Sequence, residues 1–317
     1  MGRCQNNGKI PVFIDCDPGA DDIVALLLAG NMPDIDIVGI GALCGNVEAS
    51  KTYKNALKTV ELIGKDIPVY RGAESPMMRE LVTGKNVHGE DGMGGLSSTL
   101  PEPEVKEEKE RAWDAIYREA KKHKGEMILV AIGPMTDVAI AFTKYKELPS
   151  LLKKVVIMGG SATYGNVTPA AEFNIYVDPE AAEILFKSGA DICMFGLDVT
   201  EKAVILPEEV EKIGQMTSPQ AKFCYNILKN TMSFYLNCGH AGNCMHDGCA
   251  VMYLKYPELF KGKPAGICVE TKGKITRGKT VCDMFTDVKF GFENAYVMME
   301  LDREAFVEKM IELIGNY

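Results

Sequence analysis

The chain has 317 residues, 46% of them hydrophobic and 25% charged, and 44 acidic residues against 35 Lys and Arg give a formal net charge of -9. This balance is ordinary for a globular enzyme, and without a basic block or an aromatic-interleaved basic stripe it argues against nucleic acid as a partner. No apolar run approaches a membrane span and the first residues lead into a short strand rather than a signal-peptide core, so a cytoplasmic protein with no membrane contact is expected.

The first predicted element is the apolar strand Ile10-Pro11-Val12-Phe13-Ile14. Directly after it, Asp15-Cys16-Asp17-Pro18-Gly19-Ala20-Asp21-Asp22 places four carboxylates in eight residues, and the apolar run from Ile23 to Leu28 follows. This reads as strand, tight turn and helix, with Pro18 and Gly19 reversing the chain and Asp21 and Asp22 in the first helical turn. Asp15 and Asp17 are expected on one strand face, with Asp17 nearest the carboxyl end. Carboxylates this close raise one another's pKa unless something neutralises them. A helix N-terminus offsets one or two acids, whereas a hard divalent cation held by oxygen ligands resolves the whole conflict. In an open α/β sheet, the crevice at the carboxyl ends of the strands is where ligands bind.

Residues 36 to 43 form the next predicted strand, ending at Cys44-Gly45-Asn46, and a helix then places Ala49, Tyr53, Leu57, Val60 and Ile63 on one face. Predicted strands at 67–70, 127–132, 154–158 and 191–197 alternate with helices near 106–123, 136–146 and 178–188. The alternation implies an α/β fold with an open, mostly parallel sheet and helices on both faces, one domain over residues 1–317. Residues 74–101 break the rhythm with a Gly-rich loop, Asn86-Val87-His88-Gly89-Glu90-Asp91-Gly92, of a length typical of lids. A long helix is predicted from 218 to Asn237, and the segment 218–246 is expected to cover the substrate with that loop. Strands at 266–270, 280–284 and 295–301 and a helix at 303–314 close the chain.

The ten cysteines are scattered and include no C-x-x-C, which suits small buried thiols in a reducing compartment. Cys238, Cys244 and Cys249, with His240 and His246, match no common zinc spacing.

Three further stretches join the acidic turn: Gly159-Gly160-Ser161 to Asn166, Ala171-Glu172-Phe173-Asn174, and His246-Asp247. With Asn46 they offer amides and a carboxylate suited to a diol. In order and rough spacing, these elements and Val87-His88-Gly89 resemble the inosine-uridine nucleoside hydrolase family from about residue 10 to about residue 310. The resemblance implies a Rossmann-like nucleoside hydrolase fold and calcium-dependent hydrolysis of ribonucleosides to ribose and free base. It further implies Asp17 as ligand and base, Asp22, Asp247 and the Ile132 carbonyl as the other calcium ligands, and Asp21, Asn46, Asn166, Glu172 and Asn174 as ribose contacts. His246 matches the proton donor to the leaving base, His88 lies on the covering loop, and a homodimer or homotetramer is implied.

Base preference stays open. Trp113, the one Trp, lies far from the motifs, while Phe223, Tyr225, Phe234 and Tyr235 on the long helix are candidates for the base pocket. Two other readings are a non-catalytic nucleoside-binding protein, which would be free to lose Asp17 or His246, and a haloacid-dehalogenase-like phosphatase with Asp15 as nucleophile. Pro18-Gly19 and the Asp21-Asp22 pair do not belong to the phosphatase pattern.

Overall fold

The computed structural model describes residues 8–104, 108–285, 287 and 289–317. Its strands in chain order are β1 (Ile10–Cys16), β2 (Ile35–Ala42), β3 (Val69–Arg71), β4 (Ile128–Ala131), β5 (Lys154–Met158), β6 (Ile192–Phe195), β7 (Val204–Ile205), β8 (Asn243–Cys244), β9 (Phe260–Val269), β10 (Thr280–Asp283) and β11 (Ala295–Leu301). Nine of them form one sheet in the order β10-β9-β11-β6-β5-β4-β1-β2-β3, and β7 pairs with β8 separately. Pairing is parallel from β11 through β6 to β3, and only β9 runs antiparallel to its neighbours β10 and β11. The chain leaves β1 toward β2 and β3 and then returns to place β4 on the other side of β1. That reversal opens a crevice at the carboxyl ends of β1 and β4. The expected mostly parallel single-domain α/β sheet is therefore what forms.

Side-chain alternation divides two apolar layers. Val12, Ile14 and Cys16 face one with the helices Ala20–Gly30, Pro219–Asn237, His246–Met252 and Arg303–Gly315, while Phe13 faces the other with Ala112–His123, Thr136–Lys144 and Pro179–Phe186. The helix Ala20–Gly30 is buried at every position except Asp21, as suits a helix apolar nearly all round. The last helix seals it: Tyr317 Oη donates to Leu27 O at 2.6 Å, and Asn31 Nδ2 donates to Leu313 O at 2.7 Å.

Several expected boundaries shift for physical reasons. The helix expected from 106 begins at Ala112, because Arg111 is extended and bridges in parallel to Arg71; residues 106 and 107, like Cys4, lie outside the described set. The strand expected from 266 starts at Phe260. Pro264 hid its first half, yet β10 pairs only from Gly266 onward, so the proline's missing N–H falls on an open edge.

The acidic turn also divides. Asp15, inside β1, shares the Phe13 face, where the same alternation turns it away from the crevice; β1 ends before Asp17, so the two acids do not share one strand face. Asp15 instead meets the buried Asp137 carboxyl, and neither Asp15 oxygen nor Asp137 Oδ2 has another partner among the described residues. Two facing acceptors require a shared proton. Burial first, offset by the Ala73 N–H at 2.8 Å, lifts Asp137 to about 6, and burial with the Asp137 charge lifts Asp15 well above the carboxylate range.

A folded-state pKa raised above the unfolded value stabilises fully at low pH and is lost as pH climbs through it. Wild-type stability from this pair is therefore lost as pH rises from about 4 through about 6. In Asp137→Asn the amide oxygen still accepts from Ala73 and the new N–H₂ donates to Asp15. Thermal denaturation should show this variant a few degrees more stable than wild type at pH 8, with the gap closing near pH 4. A variant less stable at pH 8 contradicts the shared proton.

Candidate active site

The chain turns immediately after β1. Pro18 fixes φ, and Gly19 leaves a space no side chain can use, since a Cβ there would lie 2.5 Å from Asn46 Nδ2 and 2.7 Å from His88 Nδ1. The helix starts at Ala20, and Asp22 reaches back over its first turn: Oδ1 accepts from the Asp17 N–H at 3.1 Å and Oδ2 from the Gly19 N–H at 2.9 Å. Asn46, beyond β2, braces the same turn. Its N–H donates to Asp17 Oδ2 at 2.6 Å, and Nδ2 donates to Asp17 O at 3.1 Å and to Asp22 Oδ2 at 3.0 Å. The short helix Lys85–His88 pins the covering loop here, with His88 Nδ1 accepting from the Ala20 N–H at 3.0 Å.

The opposite wall comes from β4, β5 and the segment after them. Glu172 caps the short helix Phe173–Val177, its Oε1 accepting from the Asn174 N–H at 2.9 Å and Oε2 from the N–H groups of Gly160 at 2.8 Å and Ile175 at 3.2 Å. Asn174 Nδ2 donates to Ile132 O at 2.7 Å and Met158 O at 3.1 Å, tying together the ends of β4 and β5. Asn166 Oδ1 accepts from the Phe173 N–H at 3.0 Å. From far along the chain, the helix His246–Met252 brings in His246 and Asp247, and Thr200 Oγ1 lies 2.9 Å from His246 Nδ1.

These walls enclose a cavity of about 610 Å³. Of the metal, catalytic and ribose residues that the resemblance implies, all line it except Asp22, whose carboxylate lies within 4.8 Å of oxygens of Asp21 and Asp247. Two of the four aromatic candidates reach it, Phe234 and Tyr235; Phe223 is buried in the core, and Tyr225 Oη donates to Glu211 on the surface. Tyr164 and Glu201 also line the cavity and had no sequence signal, as do Cys238 and His240, which the sequence offered only within a Cys/His cluster of no zinc spacing. Asn46 and Asn174 spend their amide N–H groups on the protein, so they organise the site and offer a ligand only their remaining acceptor oxygens.

The electrostatics are dominated by carboxylates out of water. Burial, then the Asp21 charge, lifts Asp22 to about 7 despite two backbone donors. Burial, then Asp22, raises Asp17 well above its ordinary range; burial, then Asp21 and Asp22, does the same to Asp247. Burial lifts Glu172 to about 7 against its three N–H bonds. Desolvation also pushes His88 and His246 down, which favours their neutral forms.

This donor set fits a cation. Asp247 is 3% exposed and its carboxylate has no hydrogen-bond partner among the described residues. Oxygens of Asp21, Asp22 and Asp247 lie within 4.8 Å of one another, an acidic cluster that can hold a metal ion. All donors are oxygen, which selects a hard ion. Asp17 and the Ile132 carbonyl, which keeps a second lone pair, add oxygens on the cavity wall.

The chain is similar to known proteins along nearly its whole length. The profile of the inosine-uridine preferring nucleoside hydrolase family matches residues 12–308. The pyrimidine-specific ribonucleoside hydrolase RihA of Photobacterium profundum is 41% identical over 312 residues, spanning 97% of this chain and 99% of that protein. RihA of Klebsiella pneumoniae is 39% identical over 311 residues, with 97% and 99% covered. Among solved structures, a purine-preferring ribonucleoside hydrolase from Gardnerella vaginalis superposes with TM-score 0.91 at 30% identity over 96% of this chain and 98% of that one. A plant nucleoside hydrolase gives 0.90 at 30% identity, covering 97% and 99%.

Asp247→Asn removes an unpartnered charge from the cluster. Thermal denaturation at pH 8 in chelator should show it more stable than wild type, and a divalent cation should stabilise wild type but not the variant. Equal stabilisation of both by the cation would remove Asp247 from the metal site.

Proposed function

The chain belongs to the inosine-uridine preferring nucleoside hydrolase family and hydrolyses ribonucleosides, and we propose that it does so with calcium, acting first on pyrimidine nucleosides. The observation that carries this reading is the convergence of Asp17, Asp21, Asp247, Glu172 and His246 on one cavity beside a braced, overcharged turn. Calcium accepts six to eight oxygens in flexible geometry, which suits Asp17, Asp22, Asp247 and the Ile132 carbonyl as ligands with room for sugar hydroxyls and water. Bound there, such an ion lowers the pKa of a water and orients the diol.

The chain's own groups supply the rest. Asp17, one of whose oxygens is held by the Asn46 N–H and whose carboxyl lies against that of Asp22, takes the proton of the attacking water. Asp21, Asn46, Asn166, Glu172 and Asn174 contact the ribose, and the carboxylates stabilise the positive charge that develops on its ring as the C1′–N bond breaks. His246 meets the departing base, with Phe234 and Tyr235 beside it. His88 closes the site by fixing the covering loop to the helix start, which excludes water. The pyrimidine preference is supported by the relatives near 40% identity, and Trp113 stands away from the cavity beside Arg111. The buried free thiols Cys16, Cys44, Cys193, Cys224, Cys244 and Cys249 suit a reducing cytoplasm, and no helix of the described residues is long and apolar enough to cross a membrane. A homodimer or homotetramer is supported by the exposed Phe285, Phe290, Phe292 and Tyr296 in and beside β10 and β11.

Release of reducing sugar from uridine, cytidine, inosine and adenosine tests the reading. Uridine and cytidine should lead, and Asp17→Ala should lower turnover on the order of 10³-fold. Inosine leading would overturn the base preference, and full activity in Asp17→Ala would overturn the mechanism.

Calcium must displace protons from the cluster. With Asp22 near 7, the group is mostly ionised at pH 8 and mostly protonated at pH 6. Calorimetric titration should therefore show affinity falling about tenfold per displaced proton between those pH values; affinity that rises toward pH 6 contradicts the site.

A further inference from the structure

Thr200 closes the short helix Leu197–Thr200 after β6 and is wholly buried. Its side-chain oxygen has one hydrogen-bond partner among the described residues, His246 Nδ1 at 2.9 Å. A buried hydroxyl carries a donor hydrogen that must be used, and leaving it unmet forfeits its hydration with nothing in return. Were Nδ1 to carry the ring hydrogen and donate to Oγ1, the Thr200 O–H would have no acceptor. The satisfied arrangement has Thr200 donating to Nδ1, which places the imidazole hydrogen on Nε2.

We propose that Thr200 is a positioning residue that fixes His246 in the Nε2–H tautomer, so that a neutral imidazole serves the leaving base as a hydrogen-bond donor rather than as an imidazolium acid. The inference rests on His246 facing the departing base. With Nδ1 turned to Thr200, Nε2 is the nitrogen left for the cavity that the ring lines. As the C1′–N bond breaks, its electron pair passes to the base nitrogen and the pyrimidine leaves as an anion held by Nε2–H. Water gives its hydroxyl to C1′ and its proton to Asp17, and that proton returns through solvent to the base. The sum is nucleoside plus water to ribose plus neutral base, with His246 unchanged. A full transfer from neutral His246 would leave an imidazolate, which this route avoids.

Thr200→Val keeps the shape and removes the donor. It should lower kcat on uridine about 10- to 100-fold with KM little changed, the scale of losing one aligned donor to a developing anion. On 4-nitrophenyl β-D-ribofuranoside, whose phenolate needs little help to leave, the same variant should lose far less. Thr200→Ser, which keeps the hydroxyl, should restore uridine turnover, and thermal denaturation of each variant reports whether the fold is intact. In ¹⁵N-histidine spectra of the wild-type protein, with the His246 signals identified by their loss in His246→Gln, Nε2 should be of the protonated type and Nδ1 of the acceptor type. Equal losses on both substrates, failure of Ser to rescue, or the opposite tautomer would overturn the proposal. His246→Ala separates the two levels. If it slows uridine and Thr200→Val does not, the role of Thr200 is wrong while that of His246 stands; if His246→Ala turns over uridine at the wild-type rate, both are wrong.

Discussion

Repulsion among carboxylates held out of water is the constraint on which the site depends. Asp17, Asp22 and Asp247 are buried and Asp21 is half-buried; Asp21 raises the pKa of the other three, Asp22 that of Asp17 and Asp247, and Asp17 that of Asp247. The protein spends donors to hold them. Gly19, Asp17 and Asn46 present N–H groups to Asp22 and Asp17, and the first turn of the helix Ala20–Gly30 adds its dipole. Asp247 receives no hydrogen bond among the described residues, and this residual charge is what a bound cation would balance.

The fold's part is to bring these groups together from distant positions. Asp17 follows β1, Asn46 follows β2, Ile132 follows β4, Gly160 follows β5 and Thr200 follows β6, so one edge of a parallel sheet collects them. His246 and Asp247 arrive on a helix packed against Ala20–Gly30 in the same apolar layer. Rigid strand ends hold the carboxylates, while the covering loop is held at several points: His88 Nδ1 accepts from the Ala20 N–H, the Gly84 N–H donates to Asn46 O, Asn55 Nδ2 donates to Asp91 O and Lys58 Nζ donates to Ser97 O.

Much of this was legible because it is written locally. The strand, turn and helix around Pro18-Gly19 follow from backbone rules, and the β5 and β11 boundaries fall where the apolar runs end. What was hidden depends on pairing between distant segments. Asp15 belongs to the same acidic run as Asp17, yet strand alternation turns it toward Asp137, over 120 residues away. Asn46 and Asn174 have the right chemistry for a sugar, and only the fold shows their N–H groups already committed. Thr200 carries no pattern at all; its meaning comes from His246, 46 residues later.

Metal content and activity measured on one preparation test the central claim most directly. The chain as purified without chelator should hold one calcium per protomer by plasma mass spectrometry, lose uridine hydrolysis when that calcium is stripped, and recover it when calcium is returned. Undiminished hydrolysis by metal-free protein would show that the carboxylates are balanced by protons alone, and would contradict the account.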